Sequence, residues 1–202
     1  MDKYVVEGIG TFFLVLTVGL SAGLGPLGPV AVGSVLMAMI YAGGHISGAH
    51  YNPVVTMAFW LCGRCPRGDI APYLAAQILG SGLAAGAAAM LTTVSPPGEV
   101  QSPAPALLAE TLFTFALVWV ILNVAVAKGT AGNPFYGAAI ALVVVAGAFA
   151  VGPISGAVFN PAVAVGLCSL GLAGWSSLWI YLAAPTAGAL IAAGIFKVLV
   201  RS

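Results

Sequence analysis

Two similar stretches of sequence decide the fold: His45-Ile-Ser-Gly-Ala-His-Tyr-Asn52-Pro53-Val-Val and Pro153-Ile-Ser-Gly-Ala-Val-Phe-Asn160-Pro161-Ala-Val. Asn is a favoured helix N-cap, and Pro is favoured at the first helical position. Each Asn-Pro pair therefore predicts the start of a helix. The apolar segments that follow, 53–62 and 161–170, are much shorter than the roughly 20 residues that a membrane-crossing helix needs.

The composition places the chain in a membrane. Of its 202 residues, 61% are hydrophobic and only 5% are charged, whereas soluble domains carry about 25% charged residues. So few charges cannot cover a water-facing surface, which excludes a soluble enzyme. The formal net charge of +1 supplies no basic field for nucleic acid. We therefore expect membrane lipid as a partner, and no nucleic acid.

The hydrophobic pattern favours helices over a β-barrel. Barrel strands alternate polar and apolar residues, whereas the apolar runs here are long and continuous, as in 111–127 and 178–195. The fold class predicted is an all-α membrane protein with six transmembrane helices and two re-entrant half-helices at 53–62 and 161–170. The spans predicted are Tyr4–Leu24, Val30–Ile46, Ile70–Leu91, Ala104–Ala127, Pro134–Val151 and Trp175–Val198.

The basic residues support this count and orient it. Under six spans they all lie on the side of both termini: Lys3, Arg64, Arg67, Lys128, Lys197 and Arg201. Because cytoplasmic loops are enriched in Lys and Arg, both termini are predicted to be cytoplasmic. Glu99 is the one charge expected in the opposite loops. The first span is interpreted as retained, and the short loops without a targeting extension favour a prokaryotic inner (plasma) membrane.

The two halves of this single domain resemble each other. Glu7-Gly-Ile-Gly-Thr11 opens the first half as Glu110-Thr-Leu-Phe-Thr114 opens the second. Because each half, 1–94 and 104–202, holds three spans, the second must enter the membrane from the opposite face. Paired Pro- and Gly-interrupted segments in such inverted repeats indicate the substrate path.

The half-helices predict how a pore would treat its solute. Inversion aims both helix N-termini, begun at Pro53 and Pro161, at the bilayer midplane, where their partial positive charges repel cations. Asn52 and Asn160 would offer side-chain N–H donors there. The extended backbone before each Asn would supply a ladder of carbonyl acceptors: Gly48, Ala49, His50, Tyr51, Gly156, Ala157, Val158 and Phe159.

These motifs resemble the two signature loops of the major intrinsic protein family, the aquaporins and aquaglyceroporins. The resemblance covers essentially the whole chain. It implies an aquaporin-like right-handed bundle, a homotetramer with one pore per subunit, and passive transport of water and small neutral solutes. It implies neither an enzyme nor a cofactor. The first box reads Asn52-Pro53-Val54, where the family usually has Asn-Pro-Ala.

The selectivity filter departs further from the family. Matching the family's filter residue by residue gives Val32, Ala148, Ala157 and Val163. The family usually has Arg at the position of Val163. A filter of small apolar residues predicts a wider opening that admits polyols, urea, ammonia, carbon dioxide or hydroxylated metalloids besides water.

The remaining buried polar residues leave alternatives open. Glu7 and Glu110 are proton-relay candidates, but their matching positions favour carboxylates that brace each re-entrant loop, with Gln77 bracing likewise. His50 could constrict the pore, sense pH or be structural. Two histidines without ligand spacing predict no metal site. A gradient-coupled secondary transporter is the alternative function, since it too uses inverted repeats.

Overall fold

The computed structural model describes residues 1–93, 100 and 102–200, and over these residues the chain is all-helical. The α-helices are α1 (Asp2–Ser21), α2 (Leu27–Ser47), α3 (Pro53–Leu61), α4 (Arg67–Leu91), α5 (Pro103–Ala125), α6 (Tyr136–Ser155), α7 (Pro161–Ser169) and α8 (Leu178–Leu199). Short 3-10 turns at Lys128–Thr130 and Trp175–Ser177 complete the described elements.

Six of these helices are long and apolar enough to cross a membrane, which confirms the six-span prediction. The other two, α3 and α7, have nine residues each and begin at the predicted prolines. Most of the predicted connector Ser95–Pro103, including Glu99, lies outside the described residues, as does Arg201.

The helix bounds differ from the predicted spans by a few residues, and a proline lies at two of the differences. α2 begins at Leu27 rather than Val30, and Pro29 lies in its first turn, where a missing N–H is no loss. α6 continues past Val151 through Pro153 and ends at Ser155. At the other ends, α1 stops at Ser21 rather than Leu24, and α4 begins at Arg67 rather than Ile70.

The packing interlocks the two halves. α1 packs mainly on α4, and α5 on α8, while α3 also contacts α8 and α7 contacts α4. Each half-helix is therefore held partly by the last span of the other half. Gly80 and Gly188 permit the closest crossings, since a Cβ at Gly80 would overlap the backbone carbonyl of Gly8, and one at Gly188 that of Thr111. Small residues allow such approaches between membrane helices.

Candidate functional site

The loops that lead into α3 and α7 share one unusual backbone. α2 ends at Ser47 and is capped by Gly48 in the left-handed region (φ 84°), and Ala49 and Tyr51 follow with φ of 51° and 48°. In the other half, Ala157 and Phe159 have φ of 53° and 52°. The left-handed region costs an L-residue roughly 1–2 kcal/mol. This conformation therefore requires specific contacts that stabilise it.

Glu7 supplies those contacts in the first half. Its fully buried carboxylate accepts hydrogen bonds from Ser47 Oγ (2.7 Å) and from the backbone N–H groups of His50 (2.9 Å) and Tyr51 (2.7 Å). Tyr73 reinforces the loop by donating its hydroxyl to the Ser47 carbonyl at 2.7 Å. Charge-assisted bonds of this kind are about twice as strong as neutral ones.

Glu110 makes equivalent contacts in the second half. It accepts from Ser155 Oγ at 2.7 Å and from the N–H groups of Val158 and Phe159 at 2.9 and 2.7 Å. Tyr181 donates to the Ser155 carbonyl at 2.7 Å. The loop N–H groups are thereby satisfied at membrane depth, where an unpaired polar group is costly.

Gln77 extends the brace in the first half. Its Nε2 donates to Glu7 Oε2 at 2.9 Å and to Thr56 Oγ1 at 3.1 Å. Thr56 Oγ1 in turn lies 3.1 Å from His50 Nδ1. A buried polar cluster thus runs from the carboxylate to the imidazole ring.

The two Asn-Pro boxes meet through reciprocal hydrogen bonds. Asn52 Nδ2 donates to the carbonyl of Phe159 at 3.0 Å, and Asn160 Nδ2 donates to the carbonyl of Tyr51 at 2.8 Å. Each Asn also caps its own helix, because its Oδ1 accepts from Val54 N–H or Ala162 N–H. An amide carries two N–H donors, so one donor on each Asn stays available beyond the cross-bond.

A continuous cavity of about 900 Å³ passes this meeting point. One end is lined by Gly25 and Gly28, at the connection between α1 and α2. The other end is lined by Gly132 and Asn133, between α5 and α6. Both Asn residues and all eight residues of the predicted carbonyl ladder line it. The facing wall is apolar and is contributed by the long helices, with Leu36, Ile40, Leu117, Ile121 and Ile140 among its residues.

The four predicted filter residues also line this cavity. Val32 comes from α2 and Ala148 from α6, while Ala157 and Val163 come from the second loop and α7. The bracing residues lie behind the loops, since Glu7, Gln77 and Glu110 are fully buried and are not among the cavity's lining residues.

Several residues with a role in the site were not predicted from the sequence, among them two tyrosines. Tyr73 and Tyr181 both follow their Asn by the same interval, which is a repeat signal that could have found them. Ser81 donates to the Ala162 carbonyl at 2.6 Å and so ties α4 to α7. Its counterpart in the other half is Ala189, so the repeat carries no signal for it.

Comparison with known proteins decides the family. The sequence pattern described as "Major intrinsic protein" matches residues 1–196. The chain belongs to the major intrinsic protein family. Family members are channels, so this chain is a passive channel for water and small solutes and not an enzyme, and a gradient-coupled transporter is not favoured.

The relatives of this major intrinsic protein include two plant proteins. Aquaporin NIP1-1 of Oryza sativa subsp. japonica is 36% identical over 98% of this chain and 74% of its own length. Nodulin-26 of Glycine max is 33% identical over 98% of this chain and 78% of its own length. These relatives support an integral multi-pass membrane protein, but they give no support to the expected prokaryotic source.

A solved structure confirms the fold of this family member. The aquaglyceroporin from Plasmodium falciparum superposes with a TM-score of 0.86 and covers 98% of this chain and 96% of that one. Its sequence identity is 20%, so the likeness concerns the fold alone. The all-helical aquaporin architecture expected from the two Asn-Pro boxes is correct.

Proposed function

We propose that this channel conducts uncharged solutes larger than water, as well as water, through a filter of Val32, Ala148, Ala157 and Val163. The observation that carries the proposal is the continuous cavity past both Asn residues, with Val163 on its wall. At that position the resemblance leads one to expect Arg. A Val side chain takes less space than Arg and carries no charge, so the opening admits polyols, urea, ammonia, carbon dioxide or hydroxylated metalloids.

The central boxes would orient the solute. The N-termini of α3 and α7 carry partial positive charge, and the remaining N–H donors of Asn52 and Asn160 point a solute oxygen toward them. Carbonyls of the two loops replace the hydrogen bonds that solute donors lose on leaving water. Cations meet two positive helix ends in a mostly apolar cavity and are excluded.

We also propose the domain organisation, the oligomeric state and the membrane orientation of this channel. The chain forms one channel domain of two inverted repeats, 1–94 and 104–202, and assembles as a homotetramer, as the family resemblance implies. Both termini are cytoplasmic, because Lys3, Arg64, Arg67, Lys128 and Lys197 share the side of the termini under six spans. Native mass spectrometry tests the tetramer, and protease accessibility of terminal tags in sealed vesicles tests the orientation.

Stopped-flow light scattering on proteoliposomes tests the transport proposal. We expect water, glycerol and urea to cross faster than through empty liposomes, with flux that rises linearly with solute concentration. Flux of water alone would contradict the wide filter. Flux that saturates, or that requires a sodium or proton gradient, would favour the transporter instead.

A further inference from the structure

The first half contains a cluster of three polar side chains, and the second half has apolar residues at all three corresponding positions. His50, Thr56 and Gln77 occupy positions that the repeat gives to Val158, Ala164 and Pro185. The braces themselves are shared, since Glu7 and Glu110 each hold a Ser hydroxyl and two loop N–H groups. The second loop is held without such a cluster, so the cluster is available for a role beyond bracing the first loop.

The hydrogen bonds of the cluster have a fixed direction. Each Glu7 oxygen accepts two bonds, Oε1 from Ser47 Oγ and His50 N, and Oε2 from Tyr51 N and Gln77 Nε2. An ionised carboxylate accepts only, so Gln77 must present its NH₂ to Glu7. The second hydrogen on that nitrogen points to Thr56 Oγ1 at 3.1 Å.

The hydrogen-bond roles of Thr56 determine whether the His50 ring donates or accepts. Its hydroxyl donates to the carbonyl of Asn52, four residues earlier, at 3.2 Å, which is the usual bond of a helical Thr. A hydroxyl has a single hydrogen. The contact of 3.1 Å between Thr56 Oγ1 and His50 Nδ1 therefore requires the ring to donate.

The ring is also fixed in orientation. It packs against Phe59 and Tyr73, with centroid separations of 4.3 and 5.0 Å. Its Nε2 lies beside Gly48, since a Cβ placed on Gly48 would be 3.3 Å from Nε2. Both Gly48 and His50 line the cavity.

We propose that the Glu7–Gln77–Thr56 chain holds His50 as the neutral tautomer protonated on Nδ1, so that a bare Nε2 accepts hydrogen bonds from permeating solutes. The inference rests on the proposed function and deepens it. An acceptor at this point favours neutral solutes with N–H or O–H donors, such as urea and glycerol. The second half has Val158 at the equivalent position, so only the first half supplies this acceptor.

Nitrogen-15 NMR of labelled histidine in liposomes tests the tautomer without any flux measurement. The chain has two histidines, so a His45→Asn background leaves His50 as the single signal. We expect a neutral ring protonated on Nδ1, and in Thr56→Val we expect that preference to be lost. A ring protonated on Nε2, or a doubly protonated ring, would overturn the proposal.

Permeability tests the binding role. The ratio of urea permeability to that of the wild type should fall about two- to tenfold in His50→Val, the loss expected for one neutral hydrogen bond, and His50→Gln should restore part of it. Ser169→Ala, which removes an exposed hydroxyl at the end of α7, is the control and should leave the ratio unchanged. Water flux in each variant reports that the protein has folded.

The two proposals fail in different ways. Wild-type vesicles that conduct urea while His50→Val keeps the same ratio would overturn the acceptor site alone. Wild-type vesicles that conduct no solute would overturn the wide filter, while the NMR signal still reports the tautomer.

Discussion

The two re-entrant loops have the same backbone but different surroundings. In both, a buried Glu holds a Ser hydroxyl and two N–H groups, and a Tyr holds the Ser carbonyl. In the first loop Gln77 and Thr56 add a polar cluster, whereas in the second the corresponding Pro185 and Ala164 are apolar. The shared contacts thus determine loop geometry, and the differing ones leave room for specificity.

The largest expected effect is the removal of a brace. Glu110→Leu would leave a hydroxyl and two loop N–H groups without a partner, at about 1–3 kcal/mol for each buried group. Glu7→Leu would also release Gln77 and should be more destabilising. We expect both variants to lose flux and to melt earlier in detergent, Glu7→Leu more so.

The conservative replacements Glu7→Gln and Glu110→Gln are the matched controls. Each keeps one acceptor oxygen, so each should retain part of the stability. If Glu110→Leu proved the more damaging of the two Leu variants, the extra cluster would not stabilise the first loop.

Substitutions at the two close helix crossings should destabilise the protein by similar amounts. Gly80→Ala and Gly188→Ala each place a Cβ against a neighbouring backbone carbonyl, and we expect about 1–3 kcal/mol of destabilisation. Gly86→Ala and Gly194→Ala are controls on the same helices, since a Cβ at either meets nothing within 4 Å. Thermal unfolding in detergent measures all four, and equal melting temperatures for crossing and control variants would contradict the packing.

Solute permeability should fall when a charge is introduced at Val163, the filter residue on α7. Val163→Arg introduces a long cation into the cavity wall, and we expect glycerol and urea permeability to fall by about tenfold, with water falling less because it is smaller. Val163→Leu adds volume without charge and should have a weaker effect. Stopped-flow measurements with unchanged glycerol flux in Val163→Arg would mean that Val163 does not line the constriction.

The smallest expected effect concerns a contact that only one half makes. Ser81→Ala removes the bond to the Ala162 carbonyl and should cost about 1 kcal/mol of stability. Ser34→Ala is the control, because Ser34 makes an exposed bond to its own helix. A Ser81→Ala protein that melts with the wild type would show that this bond adds nothing.

The fold could be predicted because its signals are local. Asn52-Pro53 and Asn160-Pro161 mark the half-helix starts through capping chemistry, and the span count follows from length and charge. The helix bounds were less predictable. Pro153 predicts that a helix ends before it, but α6 includes this proline and ends two residues later.

The site was predictable only where the repeat exposes it. Glu7 and Glu110 recur in both halves, so a common role could be inferred. The contact from Thr56 to His50 depends on how a loop folds back over its own helix, and the donation from Ser81 joins helices far apart in the sequence. Neither arrangement follows from spacing along the chain.

The most direct test of the pore is to plug it. Ala148 lines the cavity from α6, so Ala148→Trp places a large side chain in the passage and leaves the sequence of the Asn-Pro boxes unchanged. In stopped-flow light scattering we predict wild-type water and glycerol fluxes well above those of empty liposomes, and fluxes near the empty level for Ala148→Trp. Wild-type vesicles no faster than empty ones, or a Trp variant as fast as the wild type, would contradict a solute path between Asn52 and Asn160.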